Sequence, residues 1–275
     1  MSCKIPRVEN AKGGLPVAES KTVYKAPALE KGLEILEFLS SAREPCGMVA
    51  IADALGRSKH EIYRMLHVLE SRGYIARGEA GDRFSVTNKL FELGMRNPPI
   101  RNLHDVALPQ MRELAASLEQ SCQLVVRTGN QMVVVARVES PIEIGLTVRV
   151  GYRRHIMQST SGRILYAFHP QGAKKTFLAE LLATRPADVD VEAFLADAER
   201  AVEQGCIAHE SDFVDGVVDI GAPIFDLDHE GAIASLTVPF MQGRYTSLAL
   251  EAAIERVKAV ADAVSAALRG SGPAF

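Results

Sequence analysis

Residues 51–75 read IADALGRSKHEIYRMLHVLESRGYI, and their spacing decides the fold. Met48–Leu55 (MVAIADAL) has the pattern of a short apolar helix, stopped by Gly56, a residue suited to the left-handed position after a helix C-terminus. Ser58 stands three residues before Glu61, the spacing at which a serine side chain caps a helix and a glutamate returns the bond. Ile62, Leu66 and Leu69 then form a buried stripe, and Gly73 ends the helix. Two helices joined by a tight turn, the second opening on Ser58, make a helix-turn-helix.

The flanks complete that unit. Upstream, Leu29, Leu33, Leu36 and Leu39 recur at helical steps along one face, and Ala42–Gly47 (AREPCG) reads as a turn around Pro45 and Gly47. Downstream, Tyr74–Arg77 and Arg83–Val86 are short strands separated by a Gly/Asp-rich turn, a hairpin. Three helices and a hairpin outline a winged helix-turn-helix over residues 26–88. Residues 1–25 hold Gly13-Gly14, Pro6 and Pro16 without periodicity and read as a mobile tail.

Residues 89–102, helical over Asn88–Arg96 and interrupted by Pro98-Pro99, are the expected linker to a second domain at 103–275. That domain opens with an amphipathic helix, Leu103 to Glu119. Strands are expected at Gln123–Arg127, Gln131–Val138 and Ile144–Val150, with Gly129-Asn130 at the first turn. A helix over Ser161–Phe168, two more at about 172–184 and 189–204, and strands at Cys206–Ala208, Val217–Phe225 and Ala232–Val238 follow. The last helix, Thr246 to Leu268, carries a stripe of Leu250, Ile254, Val257, Ala261, Val264 and Leu268. The fold class is therefore α+β: the winged domain, then an antiparallel sheet with helices on its faces.

Composition fits a two-domain globular chain of 275 residues, 47 % hydrophobic and 24 % charged, and excludes disordered and fibrous classes. No apolar stretch approaches the roughly 18–20 residues needed to cross a bilayer, and the N-terminus lacks the apolar region of a signal peptide. A cytoplasmic protein with no membrane partner is expected. Cys3, Cys46, Cys122 and Cys206 form no CxxC pair, which reads as four free thiols rather than a zinc or redox site. Net charge is −3 but uneven: +3 over residues 1–25, zero over 26–100 and −6 over 101–275. The front of the chain suits a polyanion; the back does not.

In a helix-turn-helix the second helix enters the major groove with its N-terminal residues leading. Here that end is Arg57 to Arg64. Its outward positions are His60, Glu61, Tyr63, Arg64 and His67. Lys59 and Arg64 suit phosphate or guanine, Ser58 and the free backbone N–H groups suit a phosphate, and Glu61 can accept from cytosine N4. Arg77 and Arg83 flank the hairpin tip. The alternative is a protein–protein module, since residues 26–100 are not net basic. His60-Glu61 also begins an HExxH pattern, but Arg64 stands where the second zinc-binding histidine is required, so metal is excluded there.

The second domain shows no GxSxG, Walker or GxGxxG motif. Ser159-Thr160-Ser161-Gly162 precedes a helix and is either an anion site or a simple cap. His209-Glu210-Ser211-Asp212 is a second polar cluster, open to pocket, metal or solvent roles. Asp219 lies in an apolar run. Ser235 and Thr237 share one face of a strand, lining either a cavity or solvent.

These segments in this order, PALEKGLEILEFL, residues 51–75, RFSVTNKLFELG, VARVES, VGYRRHIMQSTSGRILYAF, EQGCIAHESDFVDGVVDIGAPIFD and ASLTV, resemble the IclR family of bacterial transcriptional regulators from about Pro27 to Leu268. The resemblance implies a winged helix-turn-helix, a helical linker and a GAF-like effector-binding domain. It also implies dimers or tetramers on palindromic operators, and small organic or aromatic acids as effectors. The family's recognition helix falls on Ser58 to Arg64. Its effector pocket falls on Ser159, Thr160, Ser161, His209, Glu210, Asp219, Ser235 and Thr237. Two positions depart: His60 and Glu61 replace the small hydroxyl residues usual in the recognition helix, and Asp219 stands where some members carry a neutral residue. A buried carboxylate opposes an anionic effector unless it is protonated or paired. No cofactor or metal is implied. The expected function is an effector-controlled DNA-binding regulator rather than an enzyme. The alternatives are an enzyme acting on a small acid and an adaptor whose winged domain does not bind DNA.

Overall fold

A computed structural model describes residues 26–42, 44–78, 81–95, 98–143, 145–226, 230–242 and 248–270. The tail at 1–25 lies outside them. The chain divides into two compact units, meeting in sequence at Leu93 and Gly94.

In the first unit, α1 (Pro27–Ser41) starts on a proline, tolerated where its missing N–H has no partner to lose. Ile35, Leu36 and Leu39 are buried, but Leu29 and Leu33 are 63 % and 50 % exposed. Only the C-terminal half of the predicted leucine face therefore reaches the core. α2 (Met48–Leu55) ends at Gly56 with φ 61°, the left-handed geometry that glycine adopts without strain. α3 (Lys59–Ser71) starts at Ser58 with the reciprocal cap that its sequence spacing anticipates. The predicted turn at 42–47 contains a two-residue strand, β1 (Cys46–Gly47). It joins β2 (Ile75–Arg77) and β3 (Arg83–Val86) in a sheet of order β1-β3-β2. Ile51, Ile62, Leu66, Ile75 and Phe84 complete the core with α1.

α4 (Lys89–Met95) follows. α5 (Pro98–Leu118) begins at the proline pair predicted to interrupt the linker, because proline fits a first helical turn. A six-stranded antiparallel sheet then forms from β4 (Cys122–Thr128), β5 (Gln131–Val138), β6 (Arg153–His155), β7 (Ile207–Glu210), β8 (Val217–Ile224) and β9 (Ala234–Met241), in the order β6-β5-β4-β9-β8-β7. Between β6 and β7 come α6 (Thr160–Ala167), α7 (Gln171–Ala183) and α8 (Val191–Gln204); α9 (Leu250–Gly270) is last. Met111 and Leu114 of α5 and Val257 and Val264 of α9 pack with Leu236 and Phe240 on one side. Ile164, Leu165 and Phe194 of α6 and α8 pack with Val125, Val134 and Ile207 on the other.

The strand expected at 144–150 does not form. Residues 145–149 have no regular structure, and β6 pairs with β5 only from Arg153 to His155. Leu146, Thr147, Val148 and Arg149, read within that strand, instead line a cavity. Three thiols among the described residues are free, with Cys122 and Cys206 buried. Burial pushes the Cys122 thiol up to about 12, so it resists alkylation at neutral pH.

The fold demands a glycine where α6 crosses the 3-10 turn at Ile156–Gln158. A Cβ on Gly162 would lie 1.9 Å from the Ile156 carbonyl oxygen, which is backbone and cannot rotate away. Gly162→Ala is therefore expected to lower stability by about 1–3 kcal/mol or more, with a corresponding drop in denaturation midpoint. An unchanged midpoint would contradict this packing.

Candidate nucleic-acid interface and ligand cavity

The start of α3 is fixed by short-range bonds. Glu61 N–H donates to Ser58 Oγ at 3.3 Å, and Ser58 N–H and O–H donate to Glu61 Oε2 at 3.3 and 2.9 Å. The other Glu61 oxygen pairs with Lys31 of α1. Lys31 and Ser58 together hold the Glu61 carboxyl down to about 2. Glu61, offered to cytosine on sequence, thus has its carboxylate engaged in capping its own helix and joining it to α1. Arg57 is also engaged: its guanidinium donates to both Glu34 oxygens, at 2.9 and 3.1 Å.

What remains outward on α3 is Lys59, His60, Tyr63, Arg64 and His67, all exposed, with Tyr63 at 54 %. Four carry hydrogen-bonding or cationic nitrogen and none is a carboxylate, a face matched to phosphates and to the acceptor edge of guanine. In the hairpin, Arg77 donates to Glu70 at 2.8 Å and stacks 4.9 Å from the Phe84 ring centre, so it braces the wing against α3. Arg83 is exposed.

In the second unit a cavity of about 490 Å³ lies against the sheet face that carries α6. Gln123 of β4, Asp219 of β8 and Pro239 of β9 form its floor. Loop residues Leu146, Val148, Arg149 and Tyr152 form one side of its roof, and Ser211, Phe213 and Val214 the other. The two loops meet where Tyr152 packs edge-on to Phe213, 6.4 Å between ring centres, and where the Arg154 guanidinium lies 3.9 Å from the Phe213 centre.

Of the residues singled out on sequence, Asp219 and Ser211 of the 209–212 cluster line this cavity. Ser159 caps α6, accepting from Gly162 N–H at 3.1 Å. Thr160 is buried with its hydroxyl unpartnered among the described residues. Ser161 shares a 2.9 Å hydrogen bond with Thr237, which shares one of 3.2 Å with Ser235. These three hydroxyls form a buried chain between α6 and β9. Glu210 is exposed. His209 Nε2 lies 3.2 Å from Asp197 of α8.

Asp197 is the centre of a network the sequence did not suggest. Its carboxylate pairs with Arg163 of α6 at 2.9 Å and with Arg200, while Arg163 also reaches Asp212 at 2.9 Å. Asp212 sits between the cavity residues Ser211 and Phe213, so Arg163 ties the roof loop to α6 and α8. Gln123, Arg149, Tyr152 and Phe213 were missed as well. They come from three separated segments, and the only trace in sequence was the misassigned strand at 144–150.

Burial pushes the Asp219 carboxyl up to about 6, against a hydrogen bond from Ser211 that favours the ionised form. A raised folded value means that the native state holds this proton more tightly than the unfolded chain. Its contribution is favourable at low pH and declines as pH rises from about 4 to about 6. Asp219→Asn is expected to gain on the order of 2 kcal/mol relative to wild type at pH 8 and nothing at pH 4. Denaturation curves at the two pH values check this; a gain equal at both would show that charge is not the cause.

Among the described residues no cluster of three or more His, Cys, Asp or Glu could hold a metal ion, and no helix is long and apolar enough to cross a membrane. A winged helix-turn-helix with a carboxylate-free outer face, carried with a sheet domain enclosing a small-molecule-sized cavity, defines a DNA-binding transcriptional regulator. The family model for the bacterial transcriptional regulator IclR C-terminal domain matches residues 100–266, and that for the IclR helix-turn-helix domain matches residues 28–79. The chain belongs to the IclR family. It is 26 % identical over 235 residues to the HTH-type transcriptional regulator KdgR of Escherichia coli K12, covering 84 % of this chain and 89 % of that one. It is 25 % identical over 250 residues to KipR of Bacillus subtilis, covering 90 % and 96 %. Its fold matches the Thermotoga maritima IclR with a TM-score of 0.66, at 22 % identity over 87 % of this chain and 98 % of that one. It also matches an IclR homologue from Microbacterium hydrocarbonoxydans complexed with 4-hydroxybenzoate, with a TM-score of 0.76 at 23 % identity over 89 % of this chain and all of the other.

Proposed function

We propose that this regulator's operator binding is controlled by a small organic or aromatic acid held in the cavity of the sheet domain. The cavity carries the reading: its volume lies in the range of small-molecule sites, and its walls combine apolar side chains with a few polar groups. Lys59, His60, Tyr63 and Arg64 meet the major groove, and Arg83 meets the backbone beside it. The protein acts in the cytoplasm as a homodimer or tetramer on a palindromic operator, two copies of α3 meeting half-sites about one helical turn apart. Effector binding shifts the balance between two arrangements of the oligomer. A coupling of roughly 1–3 kcal/mol changes operator occupancy about 5- to 150-fold.

The geometry gives less support to an enzyme. The Ser161 hydroxyl is bonded to the Thr237 hydroxyl, an arrangement that supplies no general base. The test is a thermal-shift screen of catabolic acids on the full chain, followed by operator binding with and without each hit. A ligand that binds the native state raises the denaturation midpoint. An acid that raises the midpoint and changes operator affinity supports the reading; a panel with no effect on either counts against it.

A further inference from the structure

The cavity is electrically lopsided. Its floor presents the Asp219 carboxylate and the Gln123 amide, and no cation lines it there. Its roof presents Arg149, exposed at the rim, and behind Phe213 lies Arg154, one of whose terminal nitrogens is buried without a hydrogen-bond partner among the described residues. The rest of the lining is largely apolar, Leu146, Val148, Phe213, Val214 and Pro239, with the hydroxyls of Thr147 and Ser211 among them.

An acid cannot enter with its carboxylate toward Asp219, because two anions would then be desolvated side by side. The carboxylate belongs at the roof, near the arginines, with the body of the molecule against the apolar walls. The far end then meets an acceptor. If that end is plain hydrocarbon, it covers the Asp219 carboxylate and leaves it only the hydrogen bond from Ser211, so the acceptor capacity that faced water is lost without replacement, which a polar site penalises.

We propose that the cavity takes an acid with an apolar body and a hydrogen-bond donor, hydroxyl or amino, at the end remote from the carboxylate, and that Asp219 selects for that donor. This rests on the effector reading above and narrows it to one ligand polarity.

The experiment is isothermal titration of the full chain, near neutral pH, with matched acids: phenylacetate against 4-hydroxyphenylacetate, and hexanoate against 6-aminohexanoate. The donor-bearing member of at least one pair is expected to bind wild type roughly tenfold more tightly or better. Asp219→Leu should bring the ratio within about twofold of one, mainly by weakening the donor-bearing member. Asp219→Asn, which keeps the shape and one acceptor oxygen, should retain part of the preference for the hydroxyl and lose that for the ammonium. Equal binding within both pairs, or a ratio that survives Asp219→Leu, overturns the selection by Asp219 and leaves the cavity's effector role standing. Failure of all four acids to bind wild type removes the effector reading itself, and this inference with it.

Discussion

Alanine at both Lys59 and Arg64 is expected to weaken operator binding by roughly 30- to 1,000-fold, since one base-reading arginine and one phosphate-binding lysine together contribute about 2–4 kcal/mol. The expectation follows from what the other charged groups near α3 are doing. Arg57 holds Glu34, and Glu61 holds Ser58 and Lys31, so neither faces outward unpaired. Lys59 and Arg64 remain exposed. Loss of the lysine should also reduce the salt dependence of binding by about one unit in the logarithmic slope. Arg57→Ala provides the contrast: its effect should be small, because an exposed ion pair contributes little to stability and its guanidinium is already bonded to Glu34. Gel shift or fluorescence anisotropy across a salt series measures all three proteins. A double variant that is folded and binds as wild type would show that α3 does not read DNA.

The second large effect is on stability. Asp197→Ala is expected to cost about 3–5 kcal/mol, because removing one partner of a buried ion pair strands the other. Asp197 is buried to within a few per cent and faces Arg163, Arg200 and His209 at once. Arg163, itself buried, would keep only Asp212. Asp197→Asn, which preserves shape and one acceptor oxygen, should cost less, and Arg163→Met combined with Asp197→Leu should recover much of the loss by replacing charge with packed hydrocarbon. Chemical denaturation of the three variants tests the ordering. A loss below about 1 kcal/mol for Asp197→Ala would mean that solvent reaches the pair and screens it.

How far the sequence spoke for the structure depended on the range of the interaction. Gly56 and the Ser58–Glu61 cap were legible because their geometry closes within a few residues. So were the hairpin and most strands of the sheet, short apolar runs bounded by turn residues. What the sequence left unread depends on contacts between separated residues. Arg57 and Arg77 are bonded to Glu34 and Glu70, 23 and 7 residues away, pairings that no local spacing announces. Leu146 and Val148 alternate as a strand does, yet what they line is a cavity, a surface no local periodicity encodes. The hydroxyls of Ser161, Ser235 and Thr237, expected in the effector pocket by family likeness, bond to one another between α6 and β9, a pairing of positions 76 residues apart that the sequence does not announce. The Asp197 network joins α6, α8, β7 and a loop, and nothing along the chain marks those positions as neighbours.

The ties from Lys31 to Glu61 and from Glu34 to Arg57 both run between α1 and the beginning of α3. They pin the two helices at the very end that leads into the groove. α1 is thereby coupled to the reading helix at two points, so that a displacement of α1 is felt first at the N-terminal end of α3.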